Sequence, residues 1–329
     1  MVNKVLVLGA SGHIGNAVTR LFLDRGCQVT ACGRREKLPA NLAGVPVSYV
    51  AADINVSSEL DRLVSGQDLV VDAAAPYPLR VFPVASSERS DPIAQAERRT
   101  RHLLDALTKH GAQLAYVSSF VTVATPQTAA QQLRAETMRL AHPYFDVKHF
   151  IESQMLSAAR HGLRVVIVNP AYCLGPWDLH DRRLCTIPLL LSGQIPASID
   201  QKLNVIDVRD VAAALAAAVD KELYGQPLLL SGHDIGTHAL YSLICQIGGV
   251  PSPRFSNPTI PAIIAAYWFE TILNAIDREA FVPSGGMMMA TAFDYLTRAS
   301  DLKQLAVVLR PLSQTIRDAI IWYQHIGYC

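Results

Sequence analysis

A doubly wound α/β fold of the Rossmann kind, a parallel sheet with helices on both faces and a smaller mixed C-terminal lobe, is what this chain predicts. Three observations carry that expectation. Between residues 4 and 170, short runs rich in Val, Ile and Leu alternate with longer helix-patterned segments, the pattern of βαβ units. The runs are apolar almost throughout rather than alternating, as strands covered on both faces must be. A glycine-rich turn, Gly9-Ala-Ser-Gly12-His-Ile-Gly15, separates the first such run from the first helical segment.

The elements follow in order. Lys4 to Leu8 is a short apolar strand; it flows straight into the glycines and is too brief for a signal peptide. Ile14 to Arg25 forms the first helix, then Gln28 to Cys32 and Val47 to Ala51 the next strands. Ser58 to Val64 is a helix, Leu69 to Ala73 a strand, and Ala94 to His110 a long helix. Gln113 to Ser118 and Arg164 to Asn169 complete the strands, with a helix from Tyr144 to His161 between them. After Asn169-Pro170 the alternation weakens. We therefore divide the chain into a cofactor-binding domain, 1–170, and a mainly substrate-binding lobe, 171–329, some of whose segments return to the core. The lipophilic stretch Ile260 to Ile276 contains Glu270 and Asn274 and falls short of the roughly 20 apolar residues a membrane span needs, so it reads as a packed helix.

Composition narrows the functional classes. Half of the 329 residues are hydrophobic and 17% are charged, which excludes a disordered chain and suits a globular enzyme. A net charge of +1, spread along the whole length, argues against a nucleic-acid partner. Six cysteines without metal or CxxC spacing fit a reducing, cytoplasmic setting. Ten histidines lack any metal-ligand spacing, so no metal is expected.

The glycine turn has the context a dinucleotide fingerprint requires. Gly9 permits the tight turn, Gly12 lets a pyrophosphate approach the backbone, and Gly15 allows the helix to pack on the sheet. Ser11, His13 and Ile14 belong to the same cofactor-binding turn, where the helix N-terminus offers amide donors and a positive dipole end. The second strand ends in Gly33-Arg34-Arg35, with no acidic residue to hold a ribose 2′-hydroxyl. Arg34, helped by Arg35, can instead grip a 2′-phosphate, which argues for NADP over NAD; a solvated loop pair is the plainer alternative. Asp53 and Ile54 suit an adenine contact, and Ala73, Ala74 and Ala75, leading to Pro76, let the chain come close to the ribose.

Tyr144 and Lys148 stand four residues apart and share one helix face. A phenol so placed can donate a proton to a carbonyl oxygen that receives hydride, provided a positive charge lowers its pKa. Ser118-Ser119, at the end of the fifth strand, places a hydroxyl where it can polarise the same oxygen, with Thr122 as an additional or substitute donor.

These motifs occur in the order seen in a known family. The chain resembles the extended short-chain dehydrogenases/reductases of the NAD-dependent epimerase/dehydratase superfamily over nearly its full length. The resemblance rests on the glycine turn, Asp72-Ala-Ala-Ala-Pro76, Ser118-Ser119, Tyr144-x-x-x-Lys148 and Asn169-Pro-Ala-Tyr-Cys-Leu-Gly-Pro176. Gly193-Gln-Ile-Pro196, Leu203 to Asp210 and the ending from Leu309 to Tyr328 resemble the dihydroflavonol-4-reductase-like branch. The resemblance implies Ser119, Tyr144 and Lys148 as the catalytic trio, Pro170, Ala171 and Cys173 beside the nicotinamide, and a homodimer formed through the two long helices. One departure stands out: where the family often has Asn-x-x-Gly-Thr, this chain has Ala96-Glu-Arg-Arg-Thr100, which puts a proton relay through that helix in doubt. The segment Pro78 to Asp91 has no pattern we can place.

Other residues read as structural. His142 and His149 flank the Tyr144 helix as surface or capping groups, Asp207 and Arg209 form an ion pair, and Met287-Met-Met289 is core or loop. The expectation is an NADPH-dependent reductase of a small-molecule ketone or aldehyde. Its alternatives are a nucleotide-sugar epimerase or dehydratase, with Arg182, Arg183 and Arg254 as available cations, a hydroxysteroid-type alcohol dehydrogenase, and a non-catalytic NADP-sensing module.

Overall fold

The computed structural model describes residues 2–74, 91–141, 143–179, 185–275, 291–296 and 298–329. Seven strands form one parallel sheet: β1 (Lys4–Leu8), β2 (Gln28–Gly33), β3 (Ser48–Ala51), β4 (Leu69–Asp72), β5 (Gln113–Val117), β6 (Val165–Pro170) and β10 (Pro227–Leu230). Their order is β3-β2-β1-β4-β5-β6-β10. The central strands are buried on both sides, which is why their sequences carry no polar alternation. Asp72 is the exception, an acid closing the otherwise apolar Leu-Val-Val of β4.

Helices cover each face. On one side α1 (His13–Asp24) lies with α7 (Val208–Asp220), and Val18, Phe22, Val211, Leu215 and Val219 pack on Val5, Val7, Val71 and Val168. The alanines of α7, at 212, 214, 216 and 218, are buried and bring its backbone close to its neighbours. On the other side α2 (Ser57–Val64), α3 (Asp91–His110) and α5 (Pro143–Arg160) supply Leu60, Leu103, Leu107, Val147, Ile151 and Met155 against Leu6, Leu8, Leu114 and Ile167. Each such fully buried aliphatic side chain contributes about 1.5–3 kcal/mol.

The second half of the chain divides its segments. Both α7 and β10 join the main layers; β10, whose sequence is Pro-Leu-Leu-Leu, extends the sheet beyond β6. The lobe is built from β7 (Tyr172–Leu174), β9 (Lys202–Asp207) and β11 (His233–Gly236), a three-stranded mixed sheet. A parallel pair, β8 (Ala197–Asp200) with β12 (Phe255–Pro258), stands beside it. Around these pack α6 (Thr186–Leu191), α8 (Thr237–Gly248) and the last helix, α10 (Leu312–His325). Helix α4 (Ala129–Ala141) is an element the sequence reading did not anticipate; its weak apolar face offered little signal.

The apolar stretch near residue 260 forms α9 (Thr259–Ala275), which is only partly packed. Ile263 and Tyr267 face the interior, whereas Ile264, Trp268, Phe269 and Ile272 are exposed. Among the described residues no helix is long and apolar enough to cross a membrane.

Candidate active site

The strand order switches between β1 and β4, and the carboxyl end of a sheet at such a switch is where ligands enter doubly wound folds. Two turns meet there. Gly9 has a φ of 78°, and a Cβ on it would stand 2.9 Å from the Ala73 carbonyl oxygen and from the Ala74 Cα. A Cβ on Gly15 would lie only 2.2 Å from the Gly9 carbonyl oxygen, so α1 can begin beneath the turn only with glycine at that position. The Gly12 amide donates to the Gly9 carbonyl at 2.9 Å and closes the turn.

Helix α1 opens with no side-chain cap at Gly12 and no acid in its first turn. Its leading amides, over the segment that includes half-buried Ser11 and Ile14 and buried His13, are therefore available to an anion. These residues fit the pyrophosphate of a nicotinamide dinucleotide. Beyond β2, Arg34 and Arg35 are exposed, and neither guanidinium makes an ion pair among the described residues; Tyr49 donates to the Arg35 carbonyl at 2.7 Å. Asp53 is exposed and accepts at Oδ1 from the Asn55 amide at 3.0 Å and its side chain at 2.8 Å, while Ile54 is buried behind it. Ala75 and Pro76 lie outside the described residues, as do 78–90, His142, Arg182, Arg183 and Met287 to Met289.

Helix α5 starts with Pro143 in its first turn, where a missing amide costs nothing. Tyr144, Lys148 and Glu152 follow at intervals of four, one above another on a buried face. Burial pushes the Tyr144 phenol well above its ordinary value, against the opposing effect of a hydrogen bond with the Ser119 side chain. Burial, rather than the neighbouring lysine, thus dominates this phenol in the protein alone. The Lys148 ammonium donates to the carbonyls of Val117 at 3.0 Å and Ser118 at 3.4 Å, and lies 5.4 Å from the Tyr116 ring centroid. Burial lowers its pKa to about 8; Asp72 and Glu152 pull it up and Arg99 pushes it down.

Three donors converge on one carboxylate oxygen, Glu152 Oε2: the Ser118 hydroxyl at 2.5 Å, the Thr122 hydroxyl at 2.7 Å and the Asn169 amide at 2.7 Å. Thr122, considered above as a hydrogen-bond donor to substrate, is engaged here instead, and it also lies 2.7 Å from the Ser119 carbonyl. On β6 and beyond, Pro170 and Ala171 are buried, and Ala171 is tied to β10 by its amide, 2.9 Å from the Leu230 carbonyl. The Cys173 thiol donates to the Ala171 carbonyl at 3.5 Å; burial holds it well above its usual range, so it is a protonated neighbour of Tyr144 rather than a nucleophile.

Two groups that the sequence reading passed over complete the site. Arg99 of α3 forms a buried ion pair with Asp72, which also accepts from the Ala74 amide at 3.2 Å. The departure from Asn-x-x-Gly-Thr therefore puts a cation beneath the strand end. Tyr116 pairs with Asp72 in register across β4 and β5, and burial raises its phenol strongly. Asp72 Oδ2, Arg99 Nε and the Tyr116 hydroxyl have no partner among the described residues. The signal for the pair was an acid ending a buried strand, since such a charge demands a buried cation. For Glu152 the signal was its spacing of four from Lys148. The ion pair expected between Asp207 and Arg209 is present at 2.7 Å.

An apolar cluster packs beside Tyr144. Phe120, Val121, Phe145, Leu229 and Ala292 are buried with it, and Ile263 and Tyr267 of α9 pack against the group. Phe120 and Phe293 stack at 4.0 Å between ring centroids.

The model of the NAD dependent epimerase/dehydratase family matches residues 5–227, and the chain belongs to that family, as an extended short-chain dehydrogenase/reductase. It is thus an enzyme of the nicotinamide-dependent reductase and epimerase kind. A protein of Synechocystis sp., named as a candidate dihydroflavonol 4-reductase, is 28% identical over 337 residues, spanning 100% of this chain and 96% of the relative. Among solved structures, gox2253 is 23% identical with a TM-score of 0.76, over 100% of this chain and 99% of its own. The Bordetella bronchiseptica enzyme WbmH, solved in complex with NAD+, is 17% identical with a TM-score of 0.68, over 99% of this chain and 100% of its own.

Proposed function

We propose that this chain is an NADPH-dependent reductase of a ketone or aldehyde on a small organic molecule. The observation that carries the reading is a neutral Tyr144 phenol hydrogen-bonded with Ser119, one helical turn from the Lys148 ammonium. Tyr144 hands its proton to the substrate oxygen, Ser119 polarises that oxygen, and Lys148 holds positive charge beneath them. The cofactor, when bound, supplies the hydride. Gly9, Gly12 and Gly15 with the first turn of α1 would hold its pyrophosphate. Ala73, Ala74, Pro170 and Ala171 would border it, and Asp53 with Ile54 would meet the adenine.

The apolar cluster of Phe120, Val121, Ile263, Tyr267 and Phe293 beside Tyr144 favours a carbonyl carried on an apolar body over a sugar bearing a diphosphate. The Synechocystis relative, with a reductase name, points the same way. A homodimer through α3 and α5 belongs to the same proposal and is checked by sedimentation.

Two exposed arginines directly after β2, without an ion pair among the described residues and with no acid at the strand end itself, support NADP. Calorimetry should find NADPH bound about 10- to 100-fold more tightly than NADH, the scale of charge-assisted contacts to one phosphate. Arg34→Ala should erase most of that preference. Equal affinity for the two nucleotides, or NAD retained through purification, would sink the NADP assignment and favour the epimerase or dehydratase reading.

A further inference from the structure

One buried carboxylate ties together the three segments that the reaction must keep in register. Glu152 sits two turns along α5 from Tyr144, only 5% exposed. Its Oε2 accepts from Ser118 just past the end of β5, from Thr122 in the turn that follows, and from Asn169 on β6. Those donors in turn hold Ser119. The Asn169 amide lies 3.1 Å from the Ser119 carbonyl and 2.7 Å from the Thr122 hydroxyl, and the Thr122 hydroxyl reaches that same carbonyl. A hydroxyl has one proton and an amide two, so these contacts form one shared network rather than independent bonds. The Ser119 side chain then caps the short turn Phe120–Thr122, accepting from the Val121 amide at 3.5 Å.

We propose that Glu152 is a positioning residue for carbonyl reduction: by gathering Ser118, Thr122 and Asn169 onto α5, it fixes where the Ser119 hydroxyl stands relative to Tyr144. The proposal rests on the reductase reading for its kinetic consequence, but its structural content stands independently. Glu152 reaches the substrate oxygen through Ser119, and its charge also favours the charged form of Lys148. Past β5 the Ser118 amide still donates to the Val168 carbonyl at 2.8 Å, and residues 119–122 are placed by these side-chain bonds together with the packing of Phe120 and Val121.

The test compares Glu152→Gln, Glu152→Ala, Ser119→Ala and the Glu152→Gln/Ser119→Ala double variant, with NADPH and phenanthrenequinone as the carbonyl probe. Glu152→Gln should lower kcat about 10- to 100-fold, the scale of a displaced catalytic group, while NADPH affinity stays within about twofold. In the Ser119→Ala background the same change should cost less than about threefold, because the group it positions is gone. Glu152→Ala takes the shared acceptor from all three donors, leaving the buried Ser118 hydroxyl without its partner, and should lose more than Glu152→Gln; if it fails to fold, the glutamine variant still decides. Full additivity with Ser119→Ala, or an unchanged kcat, overturns the proposal. Amide hydrogen exchange gives a readout that needs no turnover. Val121 to Ala124 should exchange at least about tenfold faster in Glu152→Gln, with α3 unchanged. Unaltered exchange there overturns the proposal even if the wild type reduces no carbonyl, whereas absent turnover with faster exchange overturns only the reductase reading.

Discussion

At the scale of single residues, the chemistry turns on two groups that burial moves in opposite directions. The Tyr144 phenol is pushed up and keeps its proton; the Lys148 ammonium is pulled down to about 8 and sheds its proton just above neutrality. A proton donor and a cation thus coexist below about pH 8. Tyr144→Phe removes only the donor and should reduce carbonyl turnover about 10²- to 10⁴-fold while leaving NADPH affinity within about twofold. The pH profile of the wild type follows from the lysine: reduction should hold below pH 8 and fall as Lys148 loses its charge above it. A rate that rises through that range would exclude the charged form as the working one. The tyrosine, lysine and serine were legible because their spacing carries chemical meaning. Glu152 was less so, since a glutamate on a helix usually marks a solvated face and only packing reveals that this one is buried.

At the scale of elements, the sheet was readable because burial on both faces leaves an uninterrupted apolar run, and each glycine of the first turn answers a specific steric demand. Arg99 was not. On a helix as polar as α3, with Glu97, Arg98 and Arg101 exposed around it, nothing in spacing marks one arginine as buried. Its contact with Asp72 fastens α3 to the end of β4 beneath Ala73 and Ala74. Breaking such a pair leaves an uncompensated charge in the interior, so Arg99→Met should destabilise the fold by about 3–5 kcal/mol. Replacing both partners, as Asp72→Asn with Arg99→Met, should recover most of that loss in denaturant unfolding. A double variant as unstable as the single one would mean that Arg99 stabilises through packing of its stem rather than through its charge.

At the scale of the whole molecule, the main layer and the lobe are latched by carboxylates at the start of α7, a helix of the main layer. Asp207 caps that helix by accepting from the Arg209 amide at 2.8 Å, pairs with the Arg209 side chain, and accepts from Thr315 of α10 at 2.7 Å. Arg209 reaches on to Asp318 of α10 at 2.7 Å, and Asp210 pairs with Arg310 just before that helix. The same Asp207 stands opposite Leu174 in the β7–β9 pairing, one residue from Cys173, so the latch adjoins the site. Sequence could mark Asp207 and Arg209 as a pair, but not α10 as their partner, because contacts across a hundred residues leave no periodic trace.

Burial alone would raise the Asp207 carboxyl; the bonds from Arg209 and Thr315 outweigh it and hold the group below its ordinary value near 3.8. A carboxyl depressed in the fold stabilises fully above that ordinary value and loses its contribution as pH falls through the lower folded value. Asp207→Asn should therefore lower Tm by about 3–10 °C at pH 7, a buried ion pair's share in a protein of this size. The gap between variant and wild type should stay constant from pH 7 down to about pH 5 and narrow only below about pH 4, as the wild type takes up the proton that the amide never binds. A gap that already narrows above about pH 5 would mean that the Asp207 carboxyl is not held below its ordinary value.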